Sequence, residues 1–143
     1  MSDENLRDRL AIQDLLVRYG TSLDAKNWER LATCFLPDAV ADYGTLGDHK
    51  GYDKIERICR NALEPLDGSQ HFISNFEITV DGDVAKSCCY LMAQHIRKSA
   101  PGGPHFILAG VYRDDLVRTS DGWRIARREL ATTWTEGNPL VIG

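Results

Sequence analysis

A chain of 143 residues, 43% hydrophobic and 27% charged, has the size and balance of one globular domain, expected over residues 1–143 with a single core and no linker. Its net charge of −4 gives no basic stripe for phosphates, and no apolar run approaches the ~18 residues of a membrane span, so nucleic acid and membrane are set aside as partners. The opening Met1-Ser2-Asp3-Glu4-Asn5 is acidic and polar where a secretory signal is basic and then apolar, and a cytoplasmic location is expected.

From Glu4 to Leu23 the apolar residues Leu6, Leu10, Ile12, Leu16, Tyr19 and Leu23 recur every two to four positions, which predicts a long amphipathic helix. A short helix is predicted over Trp28–Phe35, with Asn27 as its N-cap and Pro37 marking its end. Val40–Tyr43 reads as a short strand. Tyr52–Leu63 carries Ile55, Ile58, Ala62 and Leu63 at helical spacing and is closed by Pro65 and Gly68. Beyond this point the period changes. Gln70–Val80, Val84–Arg97, His105–Val117 and Trp123–Thr135 are rich in β-branched and aromatic residues and read as four long strands. Asp81-Gly82-Asp83 and Ser120-Asp121-Gly122 are hairpin turns, and Ala100-Pro101-Gly102-Gly103-Pro104 is a looser connection. Helices followed by a meander of strands predict an α+β fold, with a curved sheet wrapped around the helices and a conical cavity lined from both sides.

Few ionisable groups interrupt the apolar segments. Asp24 closes the first helix one turn beyond Gly20, so its carboxylate is expected to face inward and to need a partner. The helix macrodipole and burial both push such a carboxyl's pKa upward, and a nearby imidazolium opposes both. His71 opens the first long strand, from where it can reach the helix packed on the sheet. Tyr19 lies on the apolar face of the helix with a hydroxyl that needs satisfying. Arg128 shares a predicted strand face with Ala126, Leu130, Thr132 and Trp134, while Arg127 shares the other with Trp123, Ile125 and Glu129. Alternation leaves open which face is concave, and an ordinary ladder ion pair stands as the alternative for either arginine. Tyr43, Leu91, Phe106, Leu108 and Trp134 are the expected pocket wall, large apolar groups suited to a small apolar, aromatic or polycyclic ligand.

Other chemistries lack their signatures. The cysteines Cys34, Cys59, Cys88 and Cys89 have no CxxC spacing and read as reduced, mostly buried small hydrophobes, with the adjacent pair on opposite strand faces. His49, His95 and His105 have no second ligand at metal spacing, and no phosphate loop, GxGxxG or GxSxG occurs, so no metal and no cofactor is expected.

Taken together, Ala11-Ile12-Gln13-Asp14-Leu15-Leu16, Leu23-Asp24, Lys50-Gly51, His71 at a strand start and Asp121-Gly122-Trp123-Arg124-Ile125 before Arg127-Arg128 resemble the SnoaL-like branch of the nuclear transport factor 2-like superfamily. That resemblance covers nearly the whole chain and implies a cone-shaped α+β barrel of the cystatin-like kind, as in ketosteroid isomerase and scytalone dehydratase. The pattern is similar to hexachlorocyclohexane dehydrochlorinase and bile acid 7α-dehydratase, which use an Asp, a His and an Arg at the positions of Asp24, His71 and Arg128. Tyr19 matches a Tyr of the dehydratase where the dehydrochlorinase has a Lys. The resemblance thus implies a cofactor-independent, dehydratase-type lyase with Asp24, His71, Tyr19 and Arg128 as catalytic groups, in a homo-oligomer, dimer or trimer. An isomerase or cyclase with Asp24 as proton shuttle, and a binding module without chemistry, are the alternatives, since fold membership fixes no reaction.

Overall fold

In the computed structural model, which describes residues 2–143, the chain opens with helix α1, Asp3–Asp24. Ser2 caps it, its Oγ accepting the Asn5 N–H at 3.1 Å. Of the predicted stripe, Ile12, Leu16, Tyr19 and Leu23 are at most 2% exposed and Leu15 joins them, whereas Leu6 and Leu10, in the first turns, stand about half exposed. The helix ends at Asp24, and Lys26 then turns back with φ +52°, its Nζ donating to the carbonyls of Glu64 and Leu66 at 2.9 and 2.8 Å.

Helix α2 is shorter than expected, Trp28–Ala32, capped by Asn27 as predicted. Strand β1 begins at Phe35 and runs to Asp42, so Phe35 and Pro37 belong to a strand and Pro37 does not terminate the helix. Pro37 is tolerated because the pairing of β1 with its neighbour slips between Phe35 and Val40, where no ladder N–H is required of it. A single 3-10 turn, Gly44–Leu46, leads to strand β2, Asp48–Lys50, a three-residue element without periodicity to announce it. Helix α3 covers Tyr52–Leu63, as predicted.

The second half is the expected meander: β3 Gly68–Asp81, β4 Val84–Ile96, β5 His105–Thr119 and β6 Gly122–Gly137, followed by a 3-10 turn at Pro139–Val141. The six strands form one sheet in the order β2-β1-β6-β5-β4-β3. All neighbours are antiparallel except β1 and β6, which run parallel. The sheet curves without closing, so the fold is α+β and cystatin-like but the barrel stays open, with β2 and β3 as its edges. Helix α1 covers the inner face at β3 and β6, and α3 covers it at β1.

Three extra residues bend this sheet. Between Ser74 and Glu77, β3 carries one residue more than β4, and Asn75 there takes φ +55°. Strand β6 carries two bulges against β5, at Ala126 and Thr133, each reversing which face the following residues occupy. At the second bulge, a Cβ on Gly110 would lie 2.6 Å from the Ala131 carbonyl oxygen, so only glycine lets the strands approach there. The expected face grouping of β6 therefore fails. Trp123 and Ile125 point inward before the first bulge, Arg128 and Leu130 point inward after it, and Trp134 ends on the outer face.

Candidate active site

Gly20 is the residue that lets the site form. A Cβ at this position would meet Ile73 Cγ1 at 3.0 Å and His71 Cβ at 3.5 Å, so its absence lets α1 lie against β3. One turn later Asp24 reaches the same strand. Its carboxylate accepts the His71 backbone N–H at 2.9 and 3.1 Å, the Ser69 hydroxyl at 3.2 Å and the His71 ring Nδ1 at 2.6 Å. Burial pushes the Asp24 carboxyl up, as expected, but the hydrogen bonds from the His71 side chain and backbone outweigh it, and the pKa lies below the ordinary value. A carboxylate only accepts, so Nδ1 carries the proton, and it is the Nδ1–H tautomer of the ring that leaves the Nε2 lone pair bare. With 6% of its side chain exposed, His71 lines the cavity between helices and sheet.

A second imidazole joins it. His95 follows Leu91 and Ala93 on the inner face of β4, is 5% exposed, and its ring meets that of His71 edge to face at 5.8 Å. Its Nδ1 lies 3.1 Å from the Phe106 carbonyl, an acceptor only, which fixes the proton on Nδ1 and again leaves Nε2 bare. Burial first, and then the proximity of His71, lower its pKa to about 4, so this ring is neutral at physiological pH. Sequence reading weighed His95 only as a metal ligand. The usable signal was period two from Leu91, an expected wall residue, through Ala93 to His95.

Tyr19 and Tyr43 supply the donors. Their hydroxyls stand 3.0 Å apart, with Cys59 Sγ 3.9 Å from Tyr43 Oη. Burial raises both phenol pKa values far above the ordinary one, so each stays protonated. The Cys59 thiol, pushed up to about 11 by burial, is no nucleophile at neutral pH. All four cysteines are free; Cys89 is buried while Cys88 faces outward, the opposite-face pair expected.

Arg128 faces inward, yet it lies behind the cavity wall. It is 0% exposed, donates through Nε and Nη2 to the Asp114 carboxylate at 2.7 Å each, and is sandwiched between the rings of Tyr19 and Tyr112 at 4.1 and 3.8 Å. Although burial alone would lower its pKa, Asp114 more than compensates and the guanidinium stays charged. Its rival Arg127 is exposed on the outer face.

The cavity these groups enclose measures about 80 Å³. Tyr43, Leu91 and Leu108 line it, as expected, with Leu23, Tyr112 and Leu130. Two expected wall residues stand elsewhere. Phe106 sits behind His95 and holds it through its carbonyl, and Trp134, 45% exposed, is on the outer face because of the Thr133 bulge. Among the described residues no cluster of three or more His, Cys, Asp or Glu is placed to hold a metal ion, and no helix is long and apolar enough to cross a membrane.

Known proteins share this arrangement of chain. An uncharacterized protein of Mycobacterium tuberculosis is 38% identical over 130 residues, covering 90% of this chain and 87% of its own. The crystal structure of a proposed scytalone dehydratase from Novosphingobium aromaticivorans superposes with a TM-score of 0.86 at 31% identity, covering 95% of this chain and 91% of that one. A hexachlorocyclohexane dehydrochlorinase of Novosphingobium barchaimii has the same fold, with a TM-score of 0.83 at 20% identity over 96% of this chain and 95% of that one. Residues 4–129 match the SnoaL-like domain, and with that span covering most of the sequence the chain belongs to the SnoaL-like family.

Proposed function

We propose that this protein is a cofactor-independent lyase that eliminates water from a small, mostly apolar, ring-containing molecule. The observation that carries the reading is the 2.6 Å bond between Asp24 and His71 Nδ1, which leaves His71 Nε2 as a base in an apolar cavity. In this reading Nε2 takes a proton from carbon, and Asp24 holds the tautomer and stabilises the imidazolium that forms. The electron pair left on carbon becomes the new double bond as the neighbouring C–O bond breaks. The departing hydroxide takes the proton back from the imidazolium and leaves as water. The Tyr19–Tyr43 hydroxyl pair donates to the oxygen that gathers negative charge. Arg128 acts through the Tyr19 ring stacked on it, not on the ligand itself.

Relatives described as a dehydratase and a dehydrochlorinase support elimination as the reaction class. The low pKa and full engagement of Asp24 favour His71, not Asp24, as the proton-abstracting group, against the isomerase reading. The outer sheet face supports assembly as a homo-oligomer, since Phe72, Tyr90, Met92 and Trp134 are each between 43% and 53% exposed on it.

Proton abstraction is testable without the natural substrate. The wild-type protein is expected to exchange the α-hydrogens of cyclohexanone for deuterium in D2O, followed by NMR. His71→Ala is expected to slow this exchange by about 100- to 10,000-fold with an unchanged far-UV CD spectrum. Equal rates in the two proteins would rule the reading out.

A further inference from the structure

We infer that the outer face of α1 is a second docking surface, that its occupant is the same face of another copy of this chain lying antiparallel, and that Arg7 of each copy pairs with Asp14 of the other. This contact is separate from assembly through the outer sheet face and does not depend on the proposed chemistry. A helix that buries one stripe normally turns polar groups outward along the opposite one, and α1 departs from that rule. Leu6, Leu10 and Val17 are 49%, 53% and 40% exposed. At about 3.6 residues per turn they fall within about 40° of arc, almost opposite the buried Ile12 and Tyr19. With the half-buried Gln13 between Leu10 and Val17, they occupy positions 6, 10, 13 and 17, the alternating four-and-three spacing of a coiled-coil seam. Single apolar residues scattered on a surface need no explanation, but a seam does.

Charge names the occupant. Arg7 and Asp14 are both exposed and lie on the same flank of the seam. They stand two turns apart, about 10.5 Å along the axis, too far to pair with each other. Among the described residues neither takes part in a salt bridge. When two copies of the seam cross antiparallel, Leu6 faces Val17 of the partner subunit and Leu10 faces its Gln13, and the same two layers recur with the subunits exchanged. On the flank between these layers Arg7 comes opposite Asp14 of the partner subunit, and two-fold symmetry makes that pair twice. Antiparallel helix dipoles favour the same crossing. One chain therefore carries both halves of the complement. Gln13 in the seam costs stability and fixes the register. A seam running only from Leu6 to Val17 covers less than the ~800 Å² per partner of a stable complex, so the contact is a weak one, with a dissociation constant on the order of 0.1 mM. It adds to assembly where copies are already gathered, as they would be on the sheet face.

The test is sedimentation velocity on the Trp134→Lys variant, whose added charge on the outer sheet face closes the other route of assembly. It is expected to be mostly monomeric at about 10 µM and mostly dimeric at about 1 mM. Adding Leu10→Glu is expected to weaken the dimer at least about 10-fold, because the contact would bury two carboxylates without partners. Adding Arg7→Asp instead turns two ion pairs into two repulsions and is expected to weaken it by about 10-fold, as is Asp14→Arg. All three positions are exposed, so the far-UV CD spectrum should not change. An equimolar mixture of the Arg7→Asp and Asp14→Arg proteins is expected to dimerise as the parent does, since each presents the charges that the other lacks. A monomer at every concentration would overturn the inference and leave the face to a different protein. A dimer indifferent to Leu10→Glu would overturn it by placing the contact on another surface. Indifference to Arg7→Asp, or a mixture that stays monomeric, would defeat the antiparallel pairing and the inference with it.

Discussion

The two faces of one sheet treat charge in opposite ways. On the inner face each charged group has a fixed partner: Arg128 and Asp114 have side chains 1% and 0% exposed and meet through two 2.7 Å bonds, and Asp24 gathers four. One strand position away, on the outer face, Lys86 and Asp115 also meet at 2.9 Å, but with side chains 84% and 47% exposed. The distances are nearly equal, yet the environments are not. Water screens the outer pair and can replace either partner, whereas the inner pair has no substitute for the other. Distance alone therefore says little about what an ion pair contributes, and burial decides.

Removing one carboxylate from each face sharpens that contrast most. Asp114→Ala leaves a guanidinium buried among Tyr19, Tyr112 and Cys89 without its counter-ion, and is expected to destabilise the fold by about 3–5 kcal/mol. Asp115→Ala is expected to cost less than about 1 kcal/mol. Urea unfolding of both variants measures the difference, and similar losses would mean that the inner pair is reached by solvent.

The neutral imidazole of the inner face gives the next largest effect. Because the folded pKa of His95 is lowered from 6.5 to about 4, the unfolded chain binds a proton more readily than the folded one between these values. Stability is thus expected to rise with pH through the window from about 4 to 6.5, by an amount on the order of 3 kcal/mol. His95→Gln should flatten that window while leaving the profile above it parallel to wild type, as read from urea midpoints at successive pH values. Asp24 titrates with the opposite consequence. Its lowered pKa stabilises the fold above the unfolded value of about 3.9 and ceases to do so as pH falls through the folded one. The deficit of Asp24→Asn, about 1 kcal/mol for hydrogen bonds to a half-solvated carboxylate, should be present at pH 7 and vanish in acid.

How legible these faces are in the sequence depends on unbroken periodicity. Helix α3 is readable because its pattern persists over twelve residues, and the four long strands because runs rich in β-branched and aromatic residues lie between turn signals. The pairing of Asp24 with His71 is readable in outline, because an inward carboxylate at a helix end needs a partner. The place of Arg128 is not, because bulges at Ala126 and Thr133 each break the period of two and no local residue pattern marks them. The second of these insertions alone sets Trp134 on the face opposite Arg128 and so turns it from an expected wall residue into an outer one. His95 was hidden for a different reason: its value lies in a carbonyl on the adjacent strand, a relation that only pairing creates.

The outer face, finally, predicts the smallest change in stability and a clear change in assembly. Phe72, Met92, Ala109 and Trp134 form one row across β3, β4, β5 and β6, and the next row places Tyr90 beside Val111. Toward the far end of the sheet this apolar centre gives way to Glu77, Lys86, Arg113, Asp115, Arg127 and Glu129, three charges of each sign. A surface of this kind can meet its own copy without repulsion even though the chain carries a net −4. Trp134→Lys places a charge in the centre of the row, where a monomer would solvate it freely and a partner would bury it. The variant is expected to unfold within about 0.5 kcal/mol of wild type per subunit once both are monomeric. At micromolar concentration the wild type is expected to sediment as an oligomer and the variant as a monomer. Because His71 and Asp24 belong to the other face, cyclohexanone exchange should be unaffected; a fall in that rate together with dissociation would mean that assembly shapes the inner cavity after all.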